Sequence, residues 1–232
     1  MTISIVQSHA QTGTIGSTSW TYSYASTPSV GNALVVLYTG ECNPSYPTGI
    51  TDNQSGNTYS ALLNTTFTGS GATVSAWWCP SLASASGTFT LTITTVGTAN
   101  GNPQYAFLEV SGLNGSIDQS AIQNQASSVS TNVITNGGAN TNANDLVLSM
   151  NATQYGGVVS QAGAGPSSGY TQLSSFNPGS GGVSYMSGYK IVSAIETDVA
   201  TFTWGTATPA IGAIVSLQGT GSSTPFWGQI CL

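Results

Sequence analysis

Apolar and polar residues alternate along most of this chain with a period of two, and this pattern constrains the fold more than any other feature. The segments Val74–Trp78, Thr88–Thr94 and Ala200–Trp204 alternate in this way and are rich in β-branched and aromatic residues. Clusters of Gly, Asn, Ser and Pro separate such segments, as expected between strands. Because no segment of useful length has helical periodicity, the sequence predicts an all-β protein made of antiparallel β-sandwiches.

Blocks of sequence from the first half return in the same order in the second half. Ile5–Ser8 returns as Ile117–Ser120, and Asn32–Val36 returns as Asn144–Leu148. Three further matches join residues 57–62 to 168–173, the strand around Trp78 to the strand around Tyr189, and residues 106–112 to 213–219. Five matches in one order indicate an internal duplication.

The matches divide the chain into two sandwich repeats, 1–113 and 114–221, and a C-terminal arm, 222–232. Each repeat holds enough short strands for a jelly roll or a similar antiparallel sandwich. The spacing leaves two arrangements open. The repeats could form two tandem sandwiches, or one sandwich that shares strands between the halves.

The blocks "GNALVVLY", "ITDNQSGNTYS", "YAFLEVSGL", "ANDLVLSM" and "AIVSLQG" carry a resemblance. In this order they resemble a repeated, jelly-roll-like β-sandwich module of bacterial surface proteins and of phage or virus structural proteins. The resemblance covers most of residues 1–219 and concerns the pattern and order of these blocks. It implies a β-sandwich in a virion or at the cell surface and brings no active site with it.

Charged residues make up only 3% of the chain, with seven carboxylates and a single basic residue, Lys190. The net charge of -6 and the lack of a basic patch argue against a nucleic-acid partner, which needs clustered Lys and Arg. No apolar run approaches the ~18 residues of a membrane span. With so few titratable groups, the melting temperature should change little between about pH 4 and 8.

Candidate catalytic and metal-binding residues are few. His9 is the only histidine, so a nucleophile triad or a zinc site would have little to build on. Glu196 and Asp198 are the closest pair of carboxylates and could serve a glycoside hydrolase, but a solvated loop explains them better. Asp52 lies in a loop of oxygen-bearing side chains that makes a weak calcium candidate. We therefore expect no enzyme activity and no cofactor.

Aromatic residues suggest two surfaces. Trp20, Tyr22 and Tyr24 share one face of a strand, where they could build the core or stack against a glycan. Trp77 and Trp78 point to opposite sides because they are neighbours in a strand, and the outward ring is predicted to be Trp77. The other repeat, a neighbouring subunit or a glycan could cover Trp77.

The C-terminal arm is compact and apolar, and its large side chains are candidates for an assembly interface: Phe226, Trp227, Ile230 and Leu232. The arm could also dock on its own sandwich. Three cysteines leave at least one unpaired in a monomer, and the candidates for a disulfide are Cys42, Cys79 and Cys231.

Low charge, an apolar arm and an outward tryptophan together favour a non-enzymatic structural protein. We expect self-association into a homo-oligomer, capsid or filament, in a virion or at the cell surface. The alternative is a carbohydrate-binding adhesin module that uses Trp77 or the Trp20, Tyr22 and Tyr24 face. A glycoside hydrolase built on Glu196 and Asp198 is a third hypothesis.

Overall fold

The structure is a computed structural model that describes residues 2–41, 46–67, 71–98, 101–154, 159–164, 169–177 and 183–220. Throughout these ranges the regular structure consists of β-strands, and every paired strand is antiparallel. The predicted all-β class is confirmed. The sheets lie one on another as β-sandwich layers.

The first half forms two sheets. The inner sheet has the strand order β1–β8–β3–β6–β5, with β1 (Ser4–Thr12), β8 (Gln104–Ser111), β3 (Ala33–Glu41), β6 (Ala72–Cys79) and β5 (Ser60–Phe67). The outer sheet has the order β2–β7–β4, with β2 (Ser19–Ser23), β7 (Thr90–Val96) and β4 (Tyr46–Asp52).

The second half is one hydrogen-bonded sheet that bends over itself. Its strands are β9 (Leu113–Thr135), β10 (Asp145–Gln154), β11 (Ser160–Ala164), β12 (Thr171–Phe176), β13 (Val183–Ile191) and β14 (Val199–Gly219). The last part of β14 pairs with β10 and with the first part of β9, whereas the first part of β14 pairs with β11 and the end of β9. The two long strands therefore each serve an inner and an outer layer.

Three apolar cores hold these layers together. One core lies between the two sheets of the first half and contains Leu34, Val36 and Phe107. A second core, on the outer side of β10 and β14, contains Val147 and Phe202. The third and largest core lies between the inner layers of the two halves, and we call it the central core. It draws on β3, β6 and β8 from one side and on β10, β13 and β14 from the other.

The strand order of the second half repeats that of the first. The inner order β1–β8–β3–β6–β5 corresponds to β9–β14–β10–β13–β12, and the outer order β2–β7–β4 corresponds to β9–β14–β11. Every described strand pair joins strands of the same half, whereas the largest core lies between the halves. The division into two tandem sandwiches stays a prediction. This shared order supports the predicted duplication, which stays a hypothesis.

One of the matched sequence blocks is out of register. Val110 pairs with Ala33, and its counterpart Leu217 pairs with Leu146. The counterpart of Ala33 is therefore Leu146, whereas the sequence match assigned Asp145. A slip of one residue in a strand moves every side chain to the other face. The sequence match for this strand was wrong by one residue.

Candidate functional site

Strand β9 is the longest free edge in the described part of the chain. Over 23 residues it pairs only with β14, so its other side presents unpaired backbone N–H and C=O groups. Asp118 is its only charged residue. Ile117, Ile122 and Val133 on this strand are 44%, 46% and 48% exposed. An edge with a single charged residue and with exposed aliphatic side chains can pair with another strand.

The other edges of the described sheets are shorter or interrupted. β2 and β11 have five residues each, and β4 contains Pro47, which lacks an N–H donor. β5 and β12 each have a register shift, and β1 has one between Ile5 and Gln7. Short strands, prolines and bulges are the usual protection of an edge. The pairing of β9 with β14 also shifts register, but its stretch Gln119–Gln125 pairs without interruption and contains no proline and no charged residue. This stretch is the best candidate for intermolecular pairing.

The aromatic face of β2 belongs to the core of the first sandwich. Trp20, Tyr22 and Tyr24 are 8%, 9% and 6% exposed. The ring of Tyr22 stacks on that of Phe107 with 4.0 Å between centroids. Because a sugar needs an open ring face, these three rings are not a glycan-stacking surface in this structure. The core interpretation of this face agrees with their burial.

Trp77 and Trp78 lie on opposite sides of β6, as their adjacency predicts. Trp78 is 5% exposed and packs in the central core against the second half. Trp77 is half-buried, packs on the rim of the first sandwich's own core and donates an Nε1 hydrogen bond to Ser75 Oγ at 3.0 Å. The ring that meets the other half is therefore Trp78. Trp77 offers only part of its surface to a partner.

The counterpart of Trp77 in the second half is Gly188, and a shallow groove lies near it. A Cβ on Gly188 would come within 2.5 Å of Oε1 of Gln161, so the Gln161 amide lies over this glycine. The groove has a volume of about 330 Å³ and includes Gln161, Tyr170 and Met186 in its lining. Gln161 Oε1 and the Tyr170 hydroxyl are buried without a hydrogen-bond partner among the described residues. Because both atoms are buried, the polar side chains that a neutral ligand could reach are those of the exposed lining residues Ser160, Gln172 and Ser175.

The isolated polar candidates have structural roles. The His9 imidazole stacks on the Tyr22 ring at 5.1 Å. Asp52 accepts bonds from the backbone N–H of Gln54 at 2.8 Å, from Asn57 Nδ2 at 2.9 Å and from the Tyr59 hydroxyl at 2.7 Å. Since these donors occupy both carboxylate oxygens, Asp52 holds its turn together and has little capacity for calcium. The described residues contain no cluster of three or more metal-binding side chains.

Glu196 and Asp198 do not lie on a solvated loop, so that expectation was wrong. They are 6% and 0% exposed, and both contact Lys190, which is 3% exposed. The Lys190 Nζ lies 2.9 Å from Glu196 Oε1 and 2.7 Å from Asp198 Oδ1. It also lies 5.5 Å from the centroid of the Tyr170 ring. The only basic residue of the chain is thus buried between two carboxylates.

Two asparagines complete this buried charge cluster. The side chains of Asn136 and Asn140 donate to Asp198 Oδ2 at 3.2 and 2.5 Å. The backbone N–H of Asn136 donates to the carbonyl of Asp198, and that of Asn140 donates to the carbonyl of Glu196, both at 2.9 Å. The turn after β9 therefore fixes both carboxylates against Lys190.

Asp118 and Asp145 form a second acidic pair near this cluster. Burial and a hydrogen bond shared with Asp118 raise the pKa of Asp145 to about 7. Burial tends to raise the pKa of Asp118, but bonds from Asp145, Thr141 and Gln218 outweigh it and lower that pKa. Two carboxyl groups can share a hydrogen bond only if one of them holds a proton. Asp145, which is fully buried, is the one that holds it.

Sequence reasoning missed the cluster around Lys190. The clue was a lone lysine six residues before Glu196 and eight before Asp198, within the apolar strand Val183–Ile191. A lysine that alternates with apolar residues in a strand can face a core, and a buried cation needs a carboxylate partner. The asparagines had no comparable signal, because Asn is common throughout the chain.

The remaining candidates concern the arm and the cysteines. Cys79 is a buried free thiol, and its Sγ lies 3.5 Å from the carbonyl of Ser81. Disulfide bonding of Cys79 is therefore not a feature of this structure. Cys42, Cys231 and the four large arm residues Phe226, Trp227, Ile230 and Leu232 lie outside the described residues.

Comparison of the chain with protein-family models, with curated proteins and with solved structures found no match. None of the described residues belongs to a helix that could cross a membrane.

Proposed function

We propose that this protein is a non-enzymatic structural subunit of a virion or an extracellular filament, and that it self-associates by antiparallel pairing of β9 with β9 of a second copy. The supporting observation is the edge itself, 23 residues long with one carboxylate and no basic residue. Pairing would satisfy the free backbone groups of both strands. A symmetric pair of identical strands closes as a dimer, which would be the unit of a larger assembly.

The charge distribution supports pairing between identical copies. Like charges that meet across an interface destabilise it, but each β9 brings only Asp118 to the contact. Ile117 and Ile122 lie on the side of β9 that faces the first half, because they pair with the central-core residues Leu217 and Ala213. A paired copy would cover these partly exposed side chains and extend the central core sideways.

Light scattering of the full chain on a sizing column tests this proposal. We expect a dimer or larger species, and we expect Ile122→Lys to dissociate it because the substitution adds a charge to both sides of the contact. Val30→Lys is the matched control, since it replaces an aliphatic residue that is 61% exposed and lies between β2 and β3. Circular dichroism checks that both variants remain folded. A monomeric wild-type chain at its highest soluble concentration would refute the proposal.

Deletion of residues 225–232 separates β9 pairing from the predicted role of the arm. If β9 carries the contact, the shortened chain keeps the wild-type dimer. If the deletion dissociates the protein and Ile122→Lys does not, the arm is the interface and the β9 proposal is wrong.

Carbohydrate binding is the second candidate function, and the groove beside Gly188 supports it. Ser160, Gln172 and Ser175 bring exposed, uncharged polar side chains to this groove. Such groups suit the hydroxyls of a neutral sugar. A glycan array should then give a hit that Gln172→Ala weakens, and Gln54→Ala, in a turn of the first half, should leave it unchanged. Absence of any hit on a broad array would count against this candidate.

A further inference from the structure

The amine of Lys190 and the carboxyl group of Asp198 are in direct contact, but without an aligned hydrogen bond between them. Nζ lies 2.7 Å from Oδ1 of Asp198, yet Oδ1 has no aligned hydrogen bond within the described residues. By contrast, Nζ donates a well-aligned bond to Glu196 Oε1 at 2.9 Å. The lysine nitrogen therefore donates a hydrogen bond to Glu196 and contacts the Asp198 carboxyl group directly.

Both groups are enclosed by protein. Lys190 and Asp198 are 3% and 0% exposed. Burial away from water makes an ion pair costly relative to a neutral product of the same two groups. An amine in contact with a carboxyl group can form an amide, and a site without bulk water favours loss of the water that this condensation releases. The cluster thus has the reactants and the environment for covalent bond formation.

We propose that Lys190 and Asp198 become joined by an intramolecular isopeptide bond. The bond from Lys190 Nζ to Asp198 Cγ forms, and the bond from Cγ to Oδ1 breaks. The ammonium group has three protons, of which the amide keeps one and the departing oxygen takes two to leave as water. Atoms and charge balance without an oxidant or another reactant, since a cation and an anion give two neutral products.

Glu196 is placed to be the catalytic residue of this step. Its Oε1 contacts Nζ directly, so it can accept a proton from the amine and return it to the leaving oxygen. The remaining oxygen, Asp198 Oδ2, becomes negatively charged in the tetrahedral intermediate. The side chains of Asn136 and Asn140 already donate to Oδ2, which is the arrangement that stabilises an oxyanion.

The product would tie two layers of the second sandwich together. Lys190 is in β13 of the inner layer, and Asp198 immediately precedes the part of β14 that pairs with β11 in the outer layer. An amide there replaces two buried charges with one neutral group. This inference does not depend on the proposed self-association, because it concerns one chain alone.

Intact mass measurement of the denatured, reduced full-length protein tests the bond. We expect a mass one water, about 18 Da, below that of the sequence. Trypsin cleaves only after Lys and Arg, so its single site is Lys190. A cross-linked lysine is not cleaved, and the denatured chain should therefore resist trypsin. Fragmentation of a chymotryptic digest should place the link between Lys190 and Asp198.

Two variants and a control define the chemistry. Lys190→Met should have the full mass of its own sequence, and so should Glu196→Gln, which keeps both reacting groups but removes the proton acceptor. Trypsin should cleave Glu196→Gln after Lys190. Glu41→Gln, a substitution at the end of β3 in the other half, should keep the loss of water.

Two outcomes would overturn the proposal. One is a wild-type protein with its full sequence mass that trypsin cuts at Lys190. The other is a water loss that leaves Lys190 cleavable, because this would indicate dehydration elsewhere, such as a cyclic imide. Both outcomes are measured on the wild-type protein, so they do not depend on the folding of any variant.

Discussion

Ser216 occupies the position in β14 that Glu109 occupies in β8. Glu109 lies opposite Gln7 of β1, and Ser216 lies opposite Gln119 of β9, the counterpart of Gln7. Glu109 is a buried carboxylate, whereas the Ser216 hydroxyl lies 3.5 Å from Oδ2 of Asp198. Each half therefore buries a carboxylate near this position of its inner layer. In the first half it comes from the strand itself, and in the second half from the segment before β14.

The first prediction concerns Glu109, whose oxygens accept bonds from Gln7 Nε2 at 2.6 Å, Ser29 N at 2.8 Å and Asn32 Nδ2 at 2.6 Å. Glu109→Gln places an amide NH₂ against these donors and should lower the free energy of unfolding by about 1–3 kcal/mol. Glu41→Gln, at a partly exposed position, should change it much less. Urea denaturation measures both. Equal stability of the two variants would mean that these three bonds do not stabilise the fold.

The second prediction concerns pH. Because the pKa of Asp145 is raised from 3.8 to about 7, the folded state keeps a proton that the unfolded state loses. Stability should therefore fall as pH rises from about 4 to 7. The group that shares the proton is Asp118, and its negative charge also favours the protonated form of Asp145. This differs from the flat profile that the charge count alone predicts.

Melting temperatures at constant ionic strength measure this profile. Asp145→Asn cannot titrate, so its melting temperature should decline less than that of the wild type between pH 4 and 7. A wild-type melting temperature that rises over this range would contradict the assignment of the proton to Asp145.

The third prediction compares the adjacent tryptophans. Trp78→Ala should cost about 3–5 kcal/mol of stability, because it leaves a cavity in the central core between the two halves. Trp77→Ala should cost less, because Trp77 lies on the rim of its core and is only partly buried. Chemical denaturation of the two variants gives the comparison. A larger loss at Trp77 would mean that the faces of β6 are assigned the wrong way round.

The fourth prediction concerns Gly112, which links β8 to β9. Its φ angle is 82°, a left-handed conformation that costs an L-residue about 1–2 kcal/mol. A Cβ there would also lie 2.6 Å from the carbonyl oxygen of Thr2. Gly112→Ala should therefore destabilise the protein clearly. Gly49→Ala in β4 is the control, since no atom lies within 4 Å of its added Cβ. Thermal unfolding measures the stability of both variants. Equal melting temperatures of the two would argue against this backbone strain.

The sequence predicted strands well because period-two alternation directly reports the two faces of a sheet. It could not predict the register of Asn32–Val36 against the second half, because each alignment pairs three apolar residues with apolar residues and one apolar residue with a polar one, Ala33 with Asp145 or Val36 with Ser149. Only strand pairing, such as that of Val110 with Ala33, distinguishes them. It also could not show which sandwich face would meet the other half, since both faces of β3 are apolar.

The candidate site was less predictable than the fold. Glu196 and Asp198 lie beside a turn, and local sequence assigns such residues to solvent. Their burial depends on Lys190, which reaches them from β13, and on Asn136 and Asn140, which come from the turn after β9. Contacts between segments so far apart in the chain have no local sequence signal.

The central core also determines when this protein can finish folding during its synthesis. The inner sheet of the first half is complete once Ser111 has left the ribosome, but the layer that covers its apolar face ends only at Gly219. Until then, Val35, Leu108 and Trp78 have no partner layer. The nascent chain therefore exposes an apolar surface that can aggregate for nearly half of its translation. We expect each half to need the other half of the same chain in order to stay soluble.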